Sequence, residues 1–174
     1  GWRYLAGRAW AHLRLGRLRT ALHKYRELRR RSGAGRAAVP AGDLATALRG
    51  RPVTLILDHS MGGGANAYRN RVIAELSASG AAVVLLTLTV SALAFSVELH
   101  ERGRPPRAAR CDTLSAVRAL FAGVRLQAIT YNCGVSFPQG LEVARFLHDL
   151  TTRSRAPLEI VIHDYYTVCP SAFL

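Results

Sequence analysis

Two short stretches hold the residue types that could bind and transfer a charged group. The first is Leu57-Asp58-His59-Ser60-Met61-Gly62-Gly63-Gly64-Ala65-Asn66. Three consecutive glycines leave backbone amides unshielded and tolerate dihedral angles closed to other residues. If a helix begins at Gly64, its first amides turn partial positive charge toward an incoming diphosphate. The second stretch is Ile162-His163-Asp164-Tyr165-Tyr166-Thr167-Val168-Cys169-Pro170-Ser171. An imidazole at a strand end can donate to an oxyanion or a sugar hydroxyl. His163 is therefore the candidate catalytic group, its plainer reading being a histidine that satisfies backbone carbonyls at the start of a loop. Asp164 could orient it, and Tyr165 or Tyr166 could stack on a sugar or base. Gly62, Gly63, Gly64, Asn66, Asp164 and Tyr165 are the candidate substrate or diphosphate contacts.

Each feature also has a plainer reading. The glycines suit a tight strand-to-helix turn with no ligand. His59, directly after Asp58, suits a residue that shapes that turn. Cys169 with His163 raises a metal site or a Cys/His nucleophile pair. No third ligand is evident, so no metal is expected. The dinucleotide fingerprint G-x-G-x-x-G is absent, because Gly64 is followed by Ala65-Asn66-Ala67. The P-loop is absent too, and Lys24 is the sole lysine. Hydride transfer from a nicotinamide is disfavoured further, since the strand after the first helix runs into Ser91 with no acidic residue.

The elements that must position these groups follow from hydrophobic patterning. Val53 to Leu57 reads as a strand and Gly64 to Ser79 as a helix with Val72, Ile73 and Leu76 inward. Ala82 to Val90 and Ala94 to Leu99 read as strands, and Arg104-Pro105-Pro106-Arg107 as a loop. Asp112 caps a helix carrying Leu114, Val117, Leu120 and Phe121. Leu126 to Tyr131 is a strand, and Pro138 to Thr152 is a helix with Leu141, Val143, Phe146, Leu147 and Leu150. Leu158 to Ile162 is the last strand. Strands separated by single helices predict an α/β fold, a Rossmann-like parallel sheet with helices on both faces. In such sheets ligands bind beyond the carboxyl ends of the strands. His59 and Ser60, Asn132, Cys133 and Ser136, and the stretch from His163 are all predicted at that edge.

The chain of 174 residues carries a formal charge of +13, which invites a nucleic-acid reading. The distribution argues against nucleic acid as a partner. Residues 1–36 hold eleven basic residues and one acid, leaving 13 against ten for the remainder. Trp2 to Arg31 reads as a basic helical extension, or the end of a preceding domain, with Leu15, Leu18, Leu22, Tyr25 and Leu28 on one stripe. That pattern suits a linker helix or an anionic membrane surface. Residues 37–50, with Pro40 and Gly42, read as a linker in which Asp43 could cap a short helix through Leu48. Residues 51–174 form the sheet domain. Three cysteines without a CxxC pair point to a reducing compartment. A cytoplasmic location is expected, peripheral at the inner membrane face if the extension binds lipid.

Taken together, the two opening stretches resemble the amino-terminal half of bacterial glycosyltransferases of the GT-B fold, in the large retaining family 4 group. Members that build surface polysaccharides carry a similar His-Asp-Tyr…Cys-Pro-Ser segment. The resemblance covers about Arg51 to Leu174. It implies an acceptor-side Rossmann-like domain facing a second, donor-binding domain across a cleft. The expected partners are a nucleotide-sugar donor and a glycan or lipid-linked acceptor. The Gly62–Gly64 loop would approach the donor diphosphate, and His163 would sit near the transferred sugar. No cofactor or obligatory metal is implied. The sequence stops before any second domain, so this chain alone is expected to bind weakly and not to catalyse. The alternative reading is a non-catalytic nucleotide-binding or membrane-docking α/β module.

Overall fold

Five successive residues from Val53 to Leu57 are buried, which requires a strand covered on both faces. That strand is the centre of the domain. The computed structural model describes residues 37–60, 64–89, 92–137 and 140–162, all within the unit Arg36–Leu174. In chain order the elements are β1 (Ala37–Ala38), α1 (Ala41–Leu48), β2 (Pro52–Leu57), α2 (Gly64–Ala78), β3 (Ala82–Thr89) and β4 (Ala94–His100). There follow β5 (Arg107–Cys111), α3 (Leu114–Leu120), β6 (Arg125–Tyr131), α4 (Gly140–Ser154) and β7 (Leu158–Ile160).

The strands form one seven-stranded sheet in the order β1-β5-β4-β3-β2-β6-β7. β2 pairs in parallel with β3 and with β6, and β6 with β7. Alternation along β2 sends Val53, Leu55 and Leu57 to one face, where they pack with Leu44 and Leu48 of α1, Val117 of α3 and Phe146 of α4. Ile56 points the other way, against Ile73 of α2, Val83 and Leu85. This is the expected Rossmann-like α/β arrangement, with helices on both faces.

Four departures from the sequence reading have physical causes. β4 runs antiparallel to both β3 and β5, so the sheet is mixed. Only residues 90–93 join β3 to β4, and a parallel crossover needs about a dozen residues or more. Second, β5 begins at Arg107, where a loop is expected. Its Ala109 and Cys111 are buried between half-buried and exposed neighbours. Third, residues 37–50 are part of the sheet domain rather than a linker. β1 extends the sheet beside β5, and Leu44 and Leu48 are fully buried. Pro40, not Asp43, precedes the first turn of α1, and Asp43 lies within it. Fourth, Thr113 rather than Asp112 caps α3, its hydroxyl accepting from Ala116 N at 3.1 Å. Leu141, placed by periodicity in the stripe of α4, is 64% exposed, whereas Val143, Phe146, Leu147 and Leu150 are buried.

A bulge sets the β2–β6 register. Val53 pairs with Leu126 and Thr54 with Ala128, so Gln127 is the extra residue, and its amide donates to Thr54 Oγ1 at 3.0 Å. Among the described residues no helix is long and apolar enough to cross a membrane. The basic segment 1–36 lies outside the described residues.

Candidate functional site

Asp58 is the first residue past β2, and the sheet continues to hold it. Its amide donates to Leu86 O at 3.0 Å, and Asn132 N donates to Leu57 O at 2.8 Å. The backbone is thus fixed from β3 on one side and β6 on the other. Asp58 is fully buried, and an uncompensated carboxylate there would be strongly disfavoured.

Compensation comes from the loop and helix that follow. Asp58 Oδ1 accepts from His59 N at 2.7 Å. Asp58 Oδ2 accepts from Asn66 Nδ2 and from Arg69 Nη1, each at 3.0 Å. The same two donors also reach the carbonyl of His59, at 2.8 Å from Asn66 and 3.0 Å from Arg69. Asn66 and Arg69 stand three apart on α2 and so share a face. Together they clasp the start of α2 onto the end of β2. The Arg69 side chain is only 12% exposed. From β6, Asn132 Nδ2 donates to Ala65 O at 3.1 Å, which ties the first turn of α2 to the neighbouring strand. Ser60 Oγ donates to Leu88 O at 3.0 Å.

The structure places His59, Ser60, Asn132 and Cys133 after β2 and β6, at the carboxyl edge expected for them, and brings Asn66 of α2 beside Asp58. Asn66 is buried, and both hydrogens of its amide are committed to Asp58 and to the His59 carbonyl. Its part is to position the loop. Gly64 is exposed at the start of α2, and a Cβ placed there would meet nothing within 4 Å. The Cβ direction at Gly64 is thus open. Gly62, Gly63, His163, Asp164, Tyr165 and Cys169 lie outside the described residues. The chain leaves β7 parallel to β2 with β6 between them, and Val161 N donates to Tyr131 O at 2.9 Å.

The sequence reading passes over Asp58 and Arg69 as site residues, although they anchor the loop. It also passes over a close approach at Gly134. A Cβ there would collide with the phenol ring of Tyr131, so any larger residue requires that ring to move aside.

Asp58, His59 and Cys133 offer ligand atoms within 4.8 Å of one another, all from buried residues. The donor set suits a borderline cation such as zinc. The carboxylate is already engaged, however. The oxygen nearest the His59 ring, Oδ1 at 3.9 Å from Nε2, already accepts from His59 N, and the Arg69 guanidinium on the other oxygen repels a cation at the same carboxylate. The cluster fits best as the polar interior of the clasp. Cys111 and Cys133 are both buried, and burial, then the neighbouring Asp112 charge, pushes the Cys111 thiol above its ordinary range. Comparison of the chain with protein-family models, curated proteins and solved structures finds no match.

Proposed function

We propose that this domain is the acceptor-side half of a nucleotide-sugar glycosyltransferase. One observation carries the reading. The strand-to-helix connection around the glycine run is clasped by Asp58, Asn66 and Arg69 at the carboxyl edge of a parallel strand, where α/β sheets bind ligands. The clasp holds the amino end of α2, with the exposed Gly64, beside the carboxyl end of β2. The first turn of a helix turns backbone amides and a positive dipole toward a diphosphate. In this reading the departing nucleoside diphosphate gathers negative charge as the sugar bond breaks. Donors fixed beforehand stabilise that charge without reorganising. His163, which follows β7 by three residues, would hydrogen-bond the sugar near the reacting carbon. The resemblance of the two sequence stretches to family 4 glycosyltransferases supplies the substrate class.

The test has two arms. Titrating the chain with a nucleoside diphosphate sugar should shift the amide resonances of Gly64 and Ala65, with millimolar affinity, while the free nucleoside should not. In the full-length polypeptide that carries this domain, His163→Ala should lower sugar transfer by about 100-fold or more. Unchanged transfer in that variant removes the catalytic role. Donor binding without any transfer favours the non-catalytic nucleotide-binding alternative.

A further inference from the structure

The opposite edge of the sheet carries a second set of unspent polar groups. There, between α2 and the turn joining β4 to β5, lies a recess of about 310 Å3 whose polar lining includes Ser77, His100, Glu101 and Arg104. A neighbouring recess of about 330 Å3 shares Glu101 and Arg104 and adds Arg51 and Arg102. His100 is the last residue of β4 and pairs with Val83 at the start of β3. The recess is therefore at the amino edge, away from the Asp58 clasp.

Two features of its lining point to a ligand. Ser77 Oγ and His100 Nε2 are both buried atoms with no hydrogen-bond partner, and such groups are normally satisfied. His100 Nε2 stands 3.6 Å from Glu98 Oε2, beyond hydrogen-bond reach. The second feature is an excess of guanidinium. Arg51 and Arg107 each donate to Glu101 at 2.7 Å. Arg104 approaches the same carboxylate only to 3.8 Å and is 69% exposed. The Glu101 carboxylate thus stands among Arg51, Arg102, Arg104 and Arg107, while the buried Glu98 carboxylate lies behind His100, within ion-pair range of a protonated ring. The end of α2 does little to offset this. Leu76 O accepts from Ala81 N and Ser79 Oγ, and Ser77 O accepts from Gly80 N, so the last carbonyls are occupied and the negative helix end is blunted.

We propose that this recess binds a phosphate group. Phosphate oxygens can accept from the Arg104 fork, the Ser77 hydroxyl and His100 Nε2–H at once, and guanidinium matches phosphate geometry. The proposal is independent of the sugar-transfer reading, since it uses none of the residues at the carboxyl edge.

Inorganic phosphate titrated into the chain, against chloride at matched ionic strength, should shift the His100 ring resonances saturably. Arg104→Ala should weaken the apparent affinity about tenfold or more, and its exposure spares the fold. Ser77→Ala should weaken it about threefold or more. No saturable shift, or a shift with unchanged affinity in Arg104→Ala, overturns the proposal. Vesicles separate the sources. Binding to phosphatidate vesicles over phosphatidylcholine vesicles that is lost in Arg104→Ala assigns the phosphate to a lipid headgroup. Phosphate binding without Arg104-dependent vesicle binding assigns it to a soluble phosphate ester.

Discussion

Asp58 gathers three donors onto two oxygens while fully buried, so its neighbours are coupled through it. Removing one partner of a buried ion pair leaves the other charge stranded, at a cost of about 3–5 kcal/mol. Asp58→Ala should lower stability by about that amount in urea unfolding, because Arg69 is left with the His59 carbonyl and Asn70. The double variant Asp58→Ala/Arg69→Met should recover part of the loss, since no charge remains in the gap. A double variant as unstable as the sum of both single changes would show that the two residues act independently. Asn66→Ala should cost about 1–3 kcal/mol, through the same assay. Little of this clasp is legible in the sequence. Arg69 is one arginine in a chain with 24 basic residues, and it lies eleven positions from Asp58. The available signal is the spacing of Asn66 and Arg69 on a helix beginning at Gly64. That signal acquires meaning only once Asp58 is known to be buried.

Among the elements, several are read correctly in type and place. β2, β3, β6 and α2 differ from their expected spans by one residue or so at an end, within the normal fraying of boundaries. The misread elements are the short ones. β5 reads Arg-Ala-Ala-Arg-Cys, whose small and charged residues carry no apolar alternation. Its place is fixed instead by pairing with β4 and β1. α1 is the short helix expected through Leu48, and it ends there, but its eight residues after Pro40 carry no local sign that they belong to the sheet domain. Leu48→Ala should cost about 2–5 kcal/mol in thermal or urea unfolding, whereas a change in a true linker would be nearly neutral. The β4–β5 turn is tied to β2 through Glu101, which accepts from Arg51 and Arg107. Burial pushes the Glu101 carboxyl up, but the bonds and charges of the two arginines outweigh it and hold the carboxyl below its ordinary value of 4.5. A depressed folded pKa stabilises above the unfolded value, and the contribution fades as pH falls through the folded one. Glu101→Gln should therefore destabilise most near neutral pH. The gap to the parent protein should narrow below about pH 4.5. A gap that stays constant across that range would contradict the assignment.

The whole sheet ends on two unequal edges, β1 and β7. β7 is only three residues long, and its flank exposes Leu158, Ile160 and Ile162, with Ile160 at 50%. Apolar edge strands invite pairing with another chain, and an inward or edge lysine suppresses it. Ile160→Lys should leave unfolding stability within about 0.5 kcal/mol while reducing self-association in light scattering. A large loss of stability would show that Ile160 packs more closely than its exposure indicates. The clasp at the other end of β2 has a further consequence for how the molecule tolerates change. The connection leaves through the His59 amide on one oxygen of Asp58 and returns through Asn66 and Arg69 on the other, like a rope made fast at both ends to a single post. Extra residues inserted between Ser60 and Gly64 would hang as slack, lengthening the reach of the glycine run while helix and strand stay moored. Both moorings lie outside the stretch altered, so a change of length there should be read in ligand affinity and leave unfolding stability nearly unchanged.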